Sequence, residues 1–151
     1  MARDKKFKIA GLKSKESFSD AAKLILKHKL KIIFNEISGY QENNSPENLH
    51  SLRIALRRFR YNLEIFYSCI KPKLFNRVYD YVQNTQDIIG ELRDLDVLIE
   101  KIRNLENEIG INVPESFVEN ISKERSRLRT IIQMELTAFK INEDLKKLLI
   151  K

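Results

Sequence analysis

Apolar residues recur along this chain at intervals of three and four, the spacing of one helix face. From Lys15 to Ser38 the apolar positions are Ala22, Ile25, Leu26, Leu30, Ile33 and Ile37, and Gly39 is a ready stop. Tyr40 to Ser45 reads as a polar loop. Ser45 then offers an N-cap, Pro46 a first helical position and Glu47 a first-turn acid suited to the helix dipole. The second helix carries Leu52, Ala55, Leu56, Phe59, Leu63 and Phe66. It is expected to continue to about Cys69 and to stop before Pro72, because the residue ahead of a proline avoids helical geometry.

Between Pro72 and Gly110 the period is again helical, from Leu74 and Val78 through Tyr81, Val82, Ile88, Ile89 and Leu92 to Leu95, Ile99, Ile102 and Leu105. Gly90 falls inside this pattern and marks either a kink or the close approach of a neighbour. Gly110 to Pro114 reads as a turn. A last helix follows with Phe117, Ile121, Leu128, Ile131, Ile132, Leu136 and Phe139. No stretch alternates with period two. The expected fold is all-α, an antiparallel four-helix bundle with long helices, preceded by a flexible basic arm over residues 1–13.

Composition agrees with this picture and adds a charge. With 151 residues the chain can bury a core of its own, and four glycines and three prolines leave little room for turns. Hydrophobic content of 42% argues against disorder. Lysine and arginine number 28 against 21 acidic residues, so the net charge is +7 and an acidic partner is favoured. Cys69 is the only cysteine, which excludes an intramolecular disulfide and a thiolate metal site; it reads as a buried small hydrophobe. The basic start, Met1 to Phe7, has no apolar stretch behind it, so no signal peptide is expected. No apolar run nears the ~20 residues that span a bilayer, and the expected compartment is the cytoplasm.

The charge is concentrated. Between His50 and Arg60 lie four arginines and no acidic residue. At roughly 100° per residue, His50, Arg53, Arg57 and Arg60 form one stripe opposite the apolar face. Guanidinium groups so close repel one another unless an anion sits against them. On the first helix Lys23, Lys27 and Lys31 stand four residues apart, and two adjacent helices could turn both rows toward one shared groove. Arginine forks grip phosphate oxygens in pairs and lysines act as point charges. The plain alternative is that each row is a solvated face. Solvated faces usually mix charge signs, however, and the arginine stripe does not.

His50 could be a general base, a metal ligand or a polar core residue. The other histidine, His28, is distant in sequence, and no cluster has ligand spacing. His50 therefore reads as a hydrogen-bond donor to a bound phosphate. From Asp87 to Glu108 the balance inverts, with seven acidic residues and three basic ones. Asp94 and Asp96 are two positions apart and do not share a helix face, so they are not a converging catalytic pair. Asp94 is expected to brace an arginine of the second helix, and Arg93 to add to the anion site. There is no glycine-rich phosphate loop and no nucleophile elbow. No catalytic residue, metal or cofactor is expected.

Two blocks carry a resemblance. Pro46-Glu47-x-x-His50-x-x-Arg53-x-x-x-Arg57-Arg58-x-Arg60, followed by Ile89-Gly90-Glu91-x-Arg93-Asp94-Leu95-Asp96-Val97-Leu98, resembles the CHAD domain family in content, order and spacing. The resemblance extends over roughly residues 15–149, within an expected domain of 14–151, and Arg125 and Lys140 fit the last helix only loosely. It implies a helical domain that binds inorganic polyphosphate in a basic channel. By motif match His50, Arg53, Arg57, Arg58 and Arg60 would touch phosphate, joined by Lys23, Lys27, Lys31, Arg93 and Arg125. Family members usually pair two four-helix units around the channel. This chain has length for one, so two copies are expected to associate as a homodimer. The alternatives are a nucleic-acid- or RNA-binding helical protein, or an accessory subunit of a triphosphate-hydrolysing enzyme. Tyr61 is the one aromatic residue near the cationic face, which weakens the RNA reading.

Overall fold

The computed structural model describes residues 9–149, so most of the basic arm expected over 1–13 lies outside the described residues. Five helices follow one another: α1 (Phe18–Glu42), α2 (Pro46–Ile65), α3 (Pro72–Ile109), α4 (Glu115–Ile141) and α5 (Glu143–Leu149). A 3₁₀ turn, Tyr67–Cys69, separates α2 from α3. The all-α expectation holds among the described residues.

The caps explain most of the boundaries. Ser17 accepts a hydrogen bond from the Asp20 N–H at 3.1 Å and starts α1, a little later than expected. Gly39 does not end that helix, which runs on to Glu42. Gly39 stays outside the left-handed region, and Tyr40 just after it is buried. Seating that ring in the core outweighs the roughly 1 kcal/mol that a glycine costs inside a helix. Ser45 caps α2 as expected, accepting from the Asn48 N–H at 3.2 Å. The helix ends at Ile65 rather than near Cys69, where Phe66 turns into the core and the backbone tightens into the 3₁₀ turn. Cys69 is half-buried, not fully buried.

Helix α3 is unbroken through Gly90 over 38 residues and closes on Gly110, whose φ of 72° is the left-handed stop that glycine tolerates best. Helix α4 ends at Asn142, whose Oδ1 accepts from the Leu145 N–H at 2.9 Å and so caps a fifth helix. Leu145 and Leu148 of α5 are buried, and this packing holds the short helix against α1 and α3.

Successive helices run antiparallel. Asn48 reaches back to Gly39, Glu64 meets Tyr79, and Tyr81 stacks on Phe139 with ring centroids 5.6 Å apart. Helix α4 closes on α1 through Phe34 and Phe139, and through the Lys140 ammonium, which donates to Ser38 Oγ and Gln41 Oε1 at 3.0 and 2.9 Å. Lys140 is thus a structural tie. Leu30, Ile33, Leu56, Phe59, Val82 and Leu136 lie at the centre of the core. Leu105 and Phe117, expected in the core, are exposed along with Ile109 and Ile111. These residues lie at the end of the bundle where α3 turns into α4.

Candidate anion-binding site

Helix α2 sets the site because its orientation is fixed from behind. Leu49, Leu52, Leu56, Phe59 and Leu63 are each no more than 1% exposed. With that face locked in the core, the stripe lies along one flank, where His50 and Arg53 meet α3 and Arg57 is exposed. Arg53 lies over Gly90, its Nε 3.7 Å from where a Cβ on that glycine would stand. Such a distance is ordinary contact. The glycine therefore faces an arginine side chain and not an approaching backbone, and α3 has no break there.

Farther along, Arg60 is half-buried beside Glu64, with Nε 3.8 Å from Oε1, and its Cζ stands 5.7 Å from the centre of the Tyr61 ring. Glu64 is shared, since the Tyr79 hydroxyl donates to the same Oε1 at 2.6 Å. That bond, which the neutral phenol makes as donor, pushes Tyr79 ionisation up.

At the other end of the stripe, α2, α3 and α4 enclose a groove of about 590 Å³. His50 enters it from α2, Arg93 and Arg103 from α3, and Arg125 from α4. Glu47, Asp96 and Glu100 also line it, and only Asp96 is engaged in an ion pair among the described residues. Asp96 is buried, and its Oδ1 lies 2.7 Å from Arg125 Nε. Neither atom has a directed hydrogen bond, so this is an ionic contact whose N–H does not point at the oxygen. The arginine-bracing role expected of Asp94 falls to Asp96, and the braced arginine belongs to α4 and not to α2. Asp94 is exposed and has no ion-pair partner among the described residues.

Arg103 was not anticipated from the sequence, yet a signal was there. Arg93, Asp96, Glu100 and Arg103 are spaced at i, i+3, i+7 and i+10, the same intervals as His50, Arg53, Arg57 and Arg60. All four line the groove, and the α2 stripe reaches it at His50.

The remaining expected residues separate. Arg58 faces the other seam of α2, where it shares a smaller hollow with Lys29 and Glu36 of α1. Lys23 lines a pocket formed with the start of α3 and with α5. Lys27 and Lys31, one and two turns on, are exposed on that flank of α1, away from its α2-facing residues Lys29, Ile32 and Glu36. The lysine row and the arginine stripe therefore do not share a groove. A helix has two flanks beside its core face, and α1 turns the lysines to the one opposite α2.

Charge is uncompensated along the α2–α3 seam. Arg53, Arg57, Arg93 and Arg103 have no carboxylate within ion-pair distance among the described residues. The Nε atoms of Arg53 and Arg60 are also buried without a hydrogen-bond partner. Among the described residues no three His, Cys, Asp or Glu side chains converge to hold a metal ion. No described helix is long and apolar enough to cross a membrane.

The CHAD domain family model matches residues 3–109, well over half of the chain. The matched stretch takes in α1, α2 and α3, with the arginine stripe of α2 and the mixed stripe of α3, and ends where α3 ends. Arg125 and Lys140 on α4 lie beyond it. No curated protein and no solved structure matches the chain.

Proposed function

We propose that this chain, which belongs to the CHAD domain family, binds inorganic polyphosphate or a similar linear phosphate polyanion along the α2–α3 seam, without catalysis. The observation that carries this reading is the set of guanidinium groups without a carboxylate partner among the described residues, Arg53, Arg57, Arg93 and Arg103, beside the groove that His50 enters. A buried N–H without a partner costs about 1–3 kcal/mol, and Arg53 and Arg60 each hold one. Turned outward, such an arginine would meet two oxygens of one phosphate with Nε and a terminal nitrogen. A row of such groups suits a ligand whose charges repeat along a line. Arg125, tied to Asp96, is in this reading a wall of the groove held at fixed orientation. Arg58 and the α1 lysines lie outside the main contact.

A second copy of the chain would complete the channel in this proposal. The exposed apolar end of the α3–α4 hairpin, with Leu105, Ile109, Ile111 and Phe117, is the surface that such pairing could cover.

Competition binding tests the ligand. Long-chain polyphosphate should displace labelled RNA of matched charge at equal salt, and RNA should not displace polyphosphate. The reverse order would favour a nucleic-acid-binding protein. Incubation with tripolyphosphate and Mg²⁺ should release no phosphate. Turnover above a denatured control would contradict a binding role without catalysis.

A further inference from the structure

We propose that the pocket between α1, the start of α3 and α5 binds a small amphipathic anion, a single alkyl or acyl chain ending in a phosphate or carboxylate. The pocket measures about 540 Å³, within the range of small-ligand sites. Its interior is apolar, formed by Ala22, Leu26, Ile70, Leu74 and Leu148 with Cys69. Its polar lining is cationic: Lys23, Lys71, Lys73, Arg77 and Lys147. An apolar hollow with only cations at its rim favours a ligand with an apolar body and an anionic end. A hydrated polyanion has nothing to place inside it.

The rim cations differ in how much charge they have to spare. Arg77 and Lys147 both contact Asp144, and Lys23 lies 3.9 Å from Asp20. Lys71 and Lys73 have no carboxylate partner among the described residues. They also stand at the head of α3. Lys71 is its N-cap, no side chain caps it, and the first turn contains no acid. Pro72 has no N–H, and the Phe75 N–H is taken by the Lys71 carbonyl at 2.9 Å. The amides of Lys73 and Leu74 therefore open the helix without a capping side chain, beside two free ammonium groups. The anionic end would sit here, with the chain running inward toward Leu26 and Leu148.

Cys69 supplies a readout that is independent of the polyanion seam. As the only cysteine, it reports pocket occupancy through its rate of modification by a soluble aromatic disulfide. Dodecyl phosphate, kept below its micelle concentration, should slow that reaction saturably, by about tenfold at ten times its dissociation constant. Dodecanol, inorganic phosphate and polyphosphate should not do so at equal concentration. The Lys71→Glu/Lys73→Glu variant, confirmed folded by circular dichroism, should lose the protection and keep polyphosphate binding. Anionic phospholipid vesicles serve as a separate arm. Protection by vesicles alone would point to a membrane surface and overturn the proposal. Equal protection by dodecanol, or protection unchanged in the variant, would overturn it as well. So would a Cys69 that never reacts, since the pocket would then be closed to ligands.

Discussion

Asp94 and Asp96 differ by two positions and by their whole surroundings. Asp96 is buried against Arg125, whereas Asp94 projects into solvent. Replacing Asp96 by Asn removes the countercharge from a guanidinium that is only 23% exposed. In denaturant titration the expected loss is about 1–3 kcal/mol. Asp94→Asn should stay within about 0.5 kcal/mol of the parent. Equal effects of the two changes would contradict the assignment. Gly90 allows a second comparison. A Cβ there would meet Arg53 Nε at 3.7 Å, an ordinary contact, and the backbone is helical. Gly90→Ala should therefore raise stability by roughly 0.5–1 kcal/mol, read as a higher thermal midpoint. A destabilised Gly90→Ala protein would mean that the glycine is required sterically after all.

At the scale of the element, α5 shows how a few side chains hold a short helix. Its seven residues would not persist alone. Arg77 donates from two nitrogens to Asp144, at 2.8 and 3.0 Å, and Lys147 donates to the same carboxylate at 3.2 Å. These bonds hold the Asp144 carboxyl down to about 2, from an ordinary 3.8. A carboxyl lowered on folding contributes stability at neutral pH and loses it as the pH falls from about 4 toward 2. Asp144→Asn should accordingly separate from the parent in thermal midpoint at pH 7 and converge with it near pH 2. Both partners are partly exposed, so the separation should be small and shrink in salt. A gap that widened on acidification would contradict the sign.

The elements were readable where local chemistry decides them. Ser45 and Pro46 marked the start of α2, and Gly110 the end of α3, because caps act on their own backbone. Gly39 misled because its helix is extended by the burial of Tyr40, which depends on packing far along the chain. Helix α5 has a signature in Asn142 followed by Glu143 and Asp144, a cap with first-turn acids, but its seven residues are too few for a helical period to show. Site residues followed the same division. Spacing identified the flank of His50, Arg53, Arg57 and Arg60, since a helix determines its own faces. Spacing could not say which neighbour each flank would meet. That is why the α1 lysines were assigned to a groove they do not enter, and why Arg103 was missed.

For the molecule as a whole, the arrangement is an asymmetric distribution of charge over one bundle. Helix α2 presents arginines to both of its seams, and the α3 side has the larger groove, about 590 Å³ against about 240 Å³ beside Arg58. Pairing of two copies is a separate question at this scale. Light scattering in the micromolar range should give twice the mass of the chain, and Leu105→Glu/Phe117→Glu should return it to that of one. A monomer with and without polyphosphate would contradict the pairing.

The seam itself is tested most directly by titrating polyphosphate into the parent and two charge-reversed variants over a series of salt concentrations. For the parent, log affinity should fall linearly with log salt, as counterion release requires. Arg53→Glu/Arg93→Glu should lower affinity at least about tenfold and flatten the slope, whereas Lys27→Glu/Lys31→Glu, with the same formal charge, should change both far less. Equal losses in the two variants would reduce binding to net charge alone, and an unaffected Arg53→Glu/Arg93→Glu protein would remove the seam as the site.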